Sequence, residues 1–300
     1  MNDLPDDETL QTIAQANARR RIILPDGTTL PQLGQGTWNM GDTAASRKEE
    51  LEALRLGVEL GLTLLDTAEM YGGGRSEELV GEAIAGIREK VFLVSKVYPH
   101  NAAGVRLTRS CEASLKRLGV EHLDLYLLHW RGSIPLEQTV EGMEKLVRQG
   151  KIARWGVSNL DTADMRELLS LTAGTKCAVN QVLYHLGSRG IEYELLPFLE
   201  DRGIPVMAYC PLAQGGSLRK GLTAHPVVQA IAGRCQVTPL QVLLAWCIRS
   251  SKVLAIPKAS SAKHVLENAS AAALELLPEE LAGLDQAFPA PGRKVPLDIV

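Results

Sequence analysis

The sequence has few cysteines, and they do not lie in pairs. Only 5 of the 300 residues are cysteine, and no two of them form a Cys-x-x-Cys motif. An odd number of scattered cysteines argues against a disulfide framework or a thiolate metal site and is typical of a reducing compartment. The first residues are acidic and polar, unlike a signal peptide. We therefore expect a cytoplasmic protein.

Long apolar runs and an excess of one charge are also missing. No stretch approaches the ~20 apolar residues that a helix needs to cross a bilayer. The 32 basic and 35 acidic residues give a net charge of -3, which gives no reason to expect a nucleic acid or an acidic membrane as partner. We expect a monomer or weak homo-oligomer that acts on a small molecule.

Short apolar runs alternate with longer stretches of helical periodicity. Because these runs do not alternate between apolar and polar residues, they suit strands buried on both faces of a parallel sheet. The predicted strands are Pro31–Gly36, Thr63–Asp66, Val91–Lys96, Leu123–His129, Ala153–Ser158, Ala178–Asn180, Pro205–Tyr209 and Val253–Pro257. The predicted helices are Lys48–Leu60, Glu77–Ile87, Val105–Leu118, Pro135–Arg148, Thr162–Leu171, Ile191–Asp201, Pro239–Arg249 and Lys263–Ala272.

Eight strand–helix units over about 250 residues predict an α/β fold of the (β/α)8 TIM-barrel type. A doubly wound open sheet is the competing fold, which periodicity alone does not exclude. Such a sheet would carry Gly-x-Gly-x-x-Gly after its first strand, and Gly34-Gln35-Gly36 supplies only two of these glycines.

Three segments fall outside the eight units. They are an appended helix or mobile arm (1–20), a β-hairpin (Arg21–Leu24 and Thr28–Leu30) and an extra C-terminal helix (Pro278–Ala287). Asp6 or Asp7 could cap the first helix, and Gly27 can adopt the positive φ that the hairpin turn needs. No repeat or linker interrupts the units, so we expect residues 21–300 to form one barrel domain.

Polar residues end several of the apolar runs, and the mouth of such a barrel lies at the C-terminal ends of its strands. Asp66, Lys96 and His129 occupy three of these ends, and Tyr71 follows Asp66 closely. A phenol has a pKa near ~10, which a nearby ammonium lowers, and a carboxylate keeps that ammonium charged. Together with a histidine that polarises a carbonyl, the set predicts a device for proton donation.

Each of these residues also has a plain structural interpretation. Asp66 could cap the following turn, Tyr71 could be a loop aromatic, and His129 could be a hydrogen-bonded core histidine. Lys96 is harder to explain in this way, because a buried amine needs a partner. One shared site explains the four residues more simply than four separate structural roles at four matching positions.

Several segments carry a more specific pattern. They are Gly36-Thr37-Trp38, Leu65–Gly72 with its Asp-Thr-Ala-x-x-Tyr-Gly motif, Val94–Val97, Leu123–Trp130, Gly156-Val157-Ser158-Asn159, Asn180-Gln181 and Ile256-Pro257-Lys258. In these segments the chain resembles the aldo/keto reductases, from Arg21 to Asp285. It is most similar to bacterial members associated with reduction of methylglyoxal and other small aldehydes, a likeness that Tyr184–Gly190 and Pro289–Val300 support.

The resemblance implies a role for each matching residue. Tyr71 would be the general acid that Asp66 and Lys96 tune, and His129 would orient the carbonyl. The cofactor-binding residues would be Gly36, Thr37, Trp38, Asp66, Ser158, Asn159, Gln181, Tyr209, Pro211, Leu212, Gln214, Ser217, Ile256, Lys258, Ser260, His264, Glu267 and Asn268. The substrate pocket would be formed by Trp38, Met40, Tyr98 and Trp130. No metal is implied.

The resemblance also implies a nicotinamide cofactor, with NADPH favoured and NADH an alternative. Ala259 and His264 stand where many NADPH-preferring relatives have serine and arginine, and histidine lacks the permanent bidentate grip of arginine on a phosphate. The expected activity is reduction of an aldehyde to an alcohol. Two other hypotheses are a redox-sensing or regulatory subunit with slow turnover, and a barrel lyase or isomerase that uses Lys96 as a Schiff-base amine.

Overall fold

The N-terminal segment is a helix followed by a hairpin. The computed structural model describes residues 4–300, so the first three residues of the predicted extension lie outside the described part. Helix α1 (Asp7–Arg19) begins after Asp6, whose carboxylate accepts a hydrogen bond from the Thr9 amide at 2.9 Å. Strands β1 (Arg21–Ile23) and β2 (Thr29–Pro31) pair antiparallel. The predicted hairpin is confirmed, and Gly27 has a φ of 86° in its turn.

Eight parallel strands follow and close into a barrel. They are β3 (Gln35–Gly36), β4 (Leu64–Asp66), β5 (Phe92–Val97), β6 (Leu125–Leu128), β7 (Trp155–Ser158), β8 (Asn180–Leu183), β9 (Val206–Tyr209) and β10 (Val253–Ala255). Neighbouring strands pair in chain order from β3 to β10. Parallel bridges from Leu33 to Ala255 and from Gly36 to Lys258 join the first strand to the last. The barrel prediction is confirmed, and this closure excludes the open sheet.

The helices surround the barrel. They are α2 (Ala44–Glu59), α3 (Arg75–Ile84), α4 (Gly104–Leu118), α5 (Leu136–Arg148), α6 (Thr162–Ser170), α7 (Leu195–Glu200), α8 (Gly216–Ala224), α9 (Pro226–Cys235), α10 (Pro239–Cys247), α11 (Ala262–Ser270) and α12 (Pro278–Ala287). The last is the predicted extra C-terminal helix. Within residues 4–300, no helix is long and apolar enough to cross a membrane.

Some predicted boundaries are wrong for local reasons. The first predicted strand is divided, because Pro31 pairs within the hairpin and only Gln35–Gly36 joins the barrel. Helix α7 starts at Leu195 because Gly190–Glu192 forms a separate 3-10 turn. Helices α8 and α9 were not predicted; both contain glycine, which weakens the helical signal.

The hairpin covers the N-terminal end of the barrel. Ile22, Leu24 and Leu30 pack with the buried side chains inside the strands, including Leu64 and Leu125. A larger apolar cluster fills the space between the strands and the helices. Since the N-terminal end is covered, the opposite end, where the strands terminate, is left for a site.

Candidate active site

Four side chains meet at the C-terminal ends of neighbouring strands. Asp66 is the last residue of β4, Lys96 is the second-last of β5, and His129 directly follows β6. Tyr71 starts a 3-10 turn whose three glycines all have positive φ, with values of 58°, 64° and 97°. This conformation favours glycine, and it folds the chain tightly after Tyr71.

Lys96 is the centre of this group. Its side chain is fully buried, and its ammonium donates to Asp66 Oδ2 at 2.6 Å, to the Thr67 carbonyl at 2.9 Å and to Tyr71 Oη at 3.0 Å. The other carboxylate oxygen of Asp66 accepts from Gln181 Nε2 at 2.8 Å. All three ammonium hydrogens therefore have acceptors, as a buried charge requires.

The charges in this group determine which residue carries the mobile proton. Burial opposes the charge on Lys96, but Asp66 and Tyr71 outweigh it and raise the pKa of the ammonium. Burial also raises the pKa of the Tyr71 hydroxyl, against the opposing effect of Lys96. From the sequence we expected the ammonium to lower this pKa; it does so, but burial is the larger effect. Tyr71 thus holds its proton at neutral pH.

His129 lies beside Tyr71 as a neutral ring. The two ring centroids are 5.8 Å apart and the planes meet at 73°. Burial, together with the charge of Lys96, lowers the pKa of His129 to about 3. Its Nδ1 is buried and has no hydrogen-bond partner among residues 4–300. The neutral ring keeps one N–H donor, and because His129 lines the cavity the imidazole can bind a carbonyl oxygen there.

A cavity of about 1060 Å³ opens above Tyr71 and His129. On one wall Ser158 Oγ donates to the Gln181 carbonyl at 2.9 Å, and Tyr209 Oη donates to Asn159 Oδ1 at 2.9 Å. Asn159 Nδ2 in turn donates to the His129 carbonyl at 3.2 Å. These contacts connect β8 with the C-terminal ends of β6, β7 and β9 into one polar wall.

The far end of the cavity is cationic and rich in hydroxyl groups. Lys258 Nζ donates to Ser260 Oγ at 3.3 Å, and Ser261 Oγ lies 3.2 Å from His264 Nδ1. Ser261 is the N-cap of α11, but its side chain caps no amide of that helix. A lysine, two serine hydroxyls and a helix N-terminus suit a phosphate group.

Comparisons with known proteins agree with this geometry. Residues 32–288 match the model of the aldo/keto reductase family. The chain is 60% identical to methylglyoxal reductase YeaE of Escherichia coli, over 94% of this chain and 99% of that protein. The chain belongs to the aldo/keto reductase family.

Further relatives of this aldo/keto reductase include enzymes and solved structures. Glyoxal reductase of Bacillus subtilis is 33% identical over 88% of this chain and 91% of that protein. An aldo/keto reductase from Klebsiella pneumoniae, crystallised with NADP and acetate, superposes with a TM-score of 0.92 at 55% identity. That match covers 94% of this chain and 99% of the crystallised one.

Most of the site residues expected from the sequence line this cavity. They are Gly36, Thr37, Trp38, Asp66, Tyr71, His129, Trp130, Ser158, Asn159, Gln181, Tyr209, Pro211, Leu212, Gln214, Ile256, Lys258, Ser260, His264, Glu267 and Asn268. Lys96 lies beneath the lining and reaches it through Tyr71. Their roles in this aldo/keto reductase stay predictions.

Besides Lys96, three expected residues do not line the cavity. Met40 is fully buried in the outer core, because the positive φ of Asn39 turns the chain inward. Tyr98 is partly buried outside the lining, with its ring edge-on to that of Trp130 and the two centroids 5.9 Å apart. Ser217 lies in the first turn of α8, beyond the lining. Met40 and Tyr98 therefore lie outside the cavity lining, and their assignment to the substrate pocket stays a prediction.

Other lining residues were not expected from the sequence. Pro296, Leu297, Ile299 and Val300 belong to a C-terminal segment without secondary structure that folds back over the cavity. Lys294 fastens this segment, and its Nζ lies 3.1 Å from Asp161 Oδ2 and 3.0 Å from Glu194 Oε2. No local periodicity in the sequence indicates such a long-range contact.

Arg219 was also missed. It donates from Nε to the Leu212 carbonyl at 2.9 Å and from Nη2 to the Ala213 carbonyl at 2.6 Å. The arginine thus holds the loop after β9 against α8. A lone arginine in a helix gives no sequence signal for this role.

Proposed function

We propose that this chain reduces aldehydes to alcohols with NADPH, and that methylglyoxal and other small carbonyls are its substrates. The observation that carries the proposal is the protonated Tyr71 hydroxyl, held 3.0 Å from the buried Lys96 ammonium at the floor of the cavity. Reduction of a carbonyl needs a hydride and a proton, and this pair can supply the proton. The names of the relatives support the substrate class.

The cavity has the size and the polarity that a nicotinamide dinucleotide needs. Ser158, Asn159 and Gln181 would hold the carboxamide of the nicotinamide, and Tyr209 would lie against its ring. Lys258 and Ser260 would hold the phosphate at the adenosine end, which favours NADPH over NADH. When bound, the cofactor supplies the hydride.

The residues of the chain then handle the substrate oxygen. The neutral ring of His129 and the hydroxyl of Tyr71 would both donate to it, fixing the carbonyl carbon toward the hydride. As negative charge grows on the oxygen, Tyr71 would transfer its proton. The nearby Lys96 ammonium stabilises the resulting phenolate, and Asp66 keeps that ammonium in place.

The outer wall of the cavity is apolar. The exposed fraction is 41% for Trp38, 36% for Met70 and 60% for both Ile299 and Val300, and all four line the opening. Such a rim would exclude water around a small aldehyde and would also accept an apolar substituent. The expected order of kcat/KM therefore places phenylglyoxal at or above methylglyoxal.

Replacing Tyr71 by phenylalanine tests the proposal. Tyr71→Phe removes only the donated proton, so kcat for methylglyoxal should fall by about 10²- to 10⁴-fold while NADPH still quenches protein fluorescence with a similar Kd. Tyr193→Phe is the matched control, because Tyr193 is 49% exposed and is not part of the cavity lining. Wild-type turnover by Tyr71→Phe would contradict the mechanism.

The same assay discriminates the rival hypotheses. A redox sensor would bind NADPH tightly but turn over negligibly with every aldehyde in a panel. A Schiff-base enzyme would leave a borohydride-trapped adduct on Lys96. That outcome is disfavoured, since the ion pair with Asp66 keeps Lys96 charged and a charged ammonium is not nucleophilic. Running the panel with NADPH and NADH in parallel tests the cofactor preference.

We also propose that residues 21–300 fold as one domain to which residues 1–20 are appended. Asn17 and Arg20 attach α1 and its C-cap by hydrogen bonds to the carbonyls of Ala269 and Ala272, at 3.0 and 2.8 Å. A chain that begins at residue 21 should still fold. We further propose that the protein is cytoplasmic and is a monomer or weak homo-oligomer that binds no nucleic acid. Light scattering tests the oligomeric state, and a gel-shift assay tests the absence of nucleic-acid binding.

A further inference from the structure

A buried carboxylate outside the cavity connects the parts that hold Tyr71 and Lys96. Glu77, in the first turn of α3, has a side chain with no exposed surface. Its Oε1 accepts from Ser95 Oγ at 2.5 Å, and its Oε2 accepts from Arg117 Nε at 2.6 Å. The cavity lining does not include Glu77, so the carboxylate does not touch a ligand bound there.

The contact with Ser95 reaches the strand that carries Lys96. Ser95 and Lys96 are neighbours in β5, and successive side chains of a strand point to opposite faces. Lys96 points into the barrel toward Asp66, so Ser95 points outward toward α3 and Glu77. Glu77 therefore holds β5 from behind at the residue next to the ammonium.

The contact with Arg117 reaches the turn that carries Tyr71. The side chain of Arg117 lies against Gly74, the last glycine of that turn. A Cβ atom on Gly74 would be 2.5 Å from Cδ of Arg117, so the arginine packs directly on the backbone of the turn. With a φ of 97°, Gly74 also has a conformation that favours glycine. Glu77 thus orients the arginine that supports the turn.

The neighbouring residue makes a third connection. Ser76 Oγ donates to Thr37 Oγ1 at 2.7 Å and accepts from Thr67 Oγ1 at 3.1 Å. Thr67 follows Asp66, and its carbonyl accepts from Lys96 at 2.9 Å. The first turn of α3 is therefore bonded to β5, to the end of β4 and, through Arg117, to the Tyr71 turn.

We propose that Glu77 is a positioning residue for proton transfer: it fixes the separation of the Lys96 ammonium and the Tyr71 hydroxyl by holding Ser95 and Arg117 at once. The inference rests on the proposed function, in which Tyr71 donates the proton. A carboxylate is suited to this role because it can accept from both partners with strong, charge-assisted hydrogen bonds.

Loss of this support should change the chemistry more than the binding of the cofactor. Glu77→Gln keeps an acceptor for Ser95 but leaves the Arg117 guanidinium without its counter-ion, so the Tyr71 turn loosens. When the ammonium moves away from the phenol, it stabilises the phenolate less, and the pKa of Tyr71 rises. The alkaline limb of the pH profile for aldehyde reduction should then move to higher pH. Oxidation of the alcohol, which needs the phenolate, should be slowed at neutral pH.

The experiment compares Glu77→Gln and Ser95→Ala with a matched buried carboxylate. Glu144→Gln is the control, because Glu144 accepts from Trp155 Nε1 at 2.8 Å and from Lys176 Nζ at 2.6 Å, at the N-terminal start of β7. A misplacement of about 1 Å can cost about 10²-fold in rate, so kcat should fall about 10- to 100-fold in Glu77→Gln and about 3- to 10-fold in Ser95→Ala. The Kd for NADPH should change less than about twofold in both, and Glu144→Gln should keep the wild-type kcat.

The outcomes separate the two proposals. If Glu77→Gln and Ser95→Ala lose thermal stability but keep the kcat and the pH profile of Glu144→Gln, the role of Glu77 is only structural and the inference is wrong. If Glu77→Gln does not fold, Ser95→Ala alone decides, because it removes one hydroxyl and leaves the ion pair with Arg117. An active Tyr71→Phe would refute the proposed function itself. If Tyr71→Phe is inactive while Glu77→Gln and Ser95→Ala behave like the wild type, only the positioning role is refuted.

Discussion

Replacing Asp66 by asparagine separates the charge of the buried ion pair from its shape. Asparagine keeps an oxygen that can accept from Gln181 Nε2, which lies 2.8 Å from Oδ1 of the aspartate. It removes the counter-ion of Lys96, whose Nζ lies 2.6 Å from Oδ2. The exposed fractions of the lysine and aspartate side chains are 0% and 2%, so water cannot take the place of the carboxylate.

The cost of the substitution follows from this burial. Removing one partner of a buried ion pair typically costs about 3–5 kcal/mol of unfolding free energy. Lys96 keeps two acceptors, the Thr67 carbonyl and Tyr71 Oη, which places the expected loss near the lower end, at about 3 kcal/mol at pH 7. Aldehyde reduction should fall as well, because the ammonium is no longer held beside the phenol.

The loss should depend on pH in a defined direction. In the wild type the pKa of Lys96 is raised, so its contribution to stability is complete below the ordinary lysine value near ~10.4 and disappears as the pH rises through the folded-state value. In Asp66→Asn the pKa of Lys96 should be lowered, so the loss of unfolding free energy is complete at neutral pH. This loss shrinks as the pH rises toward the ordinary lysine pKa. The two curves of stability against pH should therefore converge as the pH approaches that value.

Urea unfolding followed by circular dichroism at pH 7 and pH 10 measures this convergence. Glu82→Gln is the control, since it removes the counter-ion of Arg47 from a pair at 2.7 Å whose side chains are 34% and 51% exposed, and it should cost less than about 1 kcal/mol. A loss below about 1 kcal/mol in Asp66→Asn, or a gap that does not change with pH, would refute the reasoning about the buried charge.

Three further predictions concern other parts of the site. Because burial lowers the pKa of His129 to about 3, below its ordinary ~6.5, the unfolded chain binds a proton that the folded one does not. Between pH 7 and pH 5 the wild type should therefore lose about 2 kcal/mol more stability in urea than His129→Gln, and equal losses would contradict this. Cys210 lines the cavity, and burial raises its pKa to about 11. Iodoacetamide at pH 8 should therefore alkylate Cys210 far more slowly than free cysteine, and NADPH should slow the alkylation further if the cofactor fills the cavity. Lys294→Met should raise the KM for methylglyoxal about two- to fivefold by releasing the C-terminal segment, with the effect reduced in 1 M salt. The exposed neighbour Arg293 provides the control Arg293→Met, and equal KM values in the two variants would count against the fastening role.

The sequence alone determined the order of the fold and the chemical character of the site. Apolar runs without alternation identified strands buried on both faces, and the regular helices between them identified parallel connections. The polar residues that end several of these runs were sufficient to place Asp66, Lys96 and His129 at the strand ends. These patterns depend only on residues that are close in sequence, so they can be recognised without the tertiary structure.

The tertiary structure decided how those residues meet and what lies around them. Closure between β3 and β10 brought the strand ends to one mouth, and burial there left Tyr71 with a raised pKa where the ammonium alone would have lowered it. Met40 was turned into the core, and the C-terminal segment became part of the wall. Burial and contacts between distant segments depend on the packing of the whole chain, and for this reason the sequence indicated an acid at the mouth of a barrel but not its surroundings.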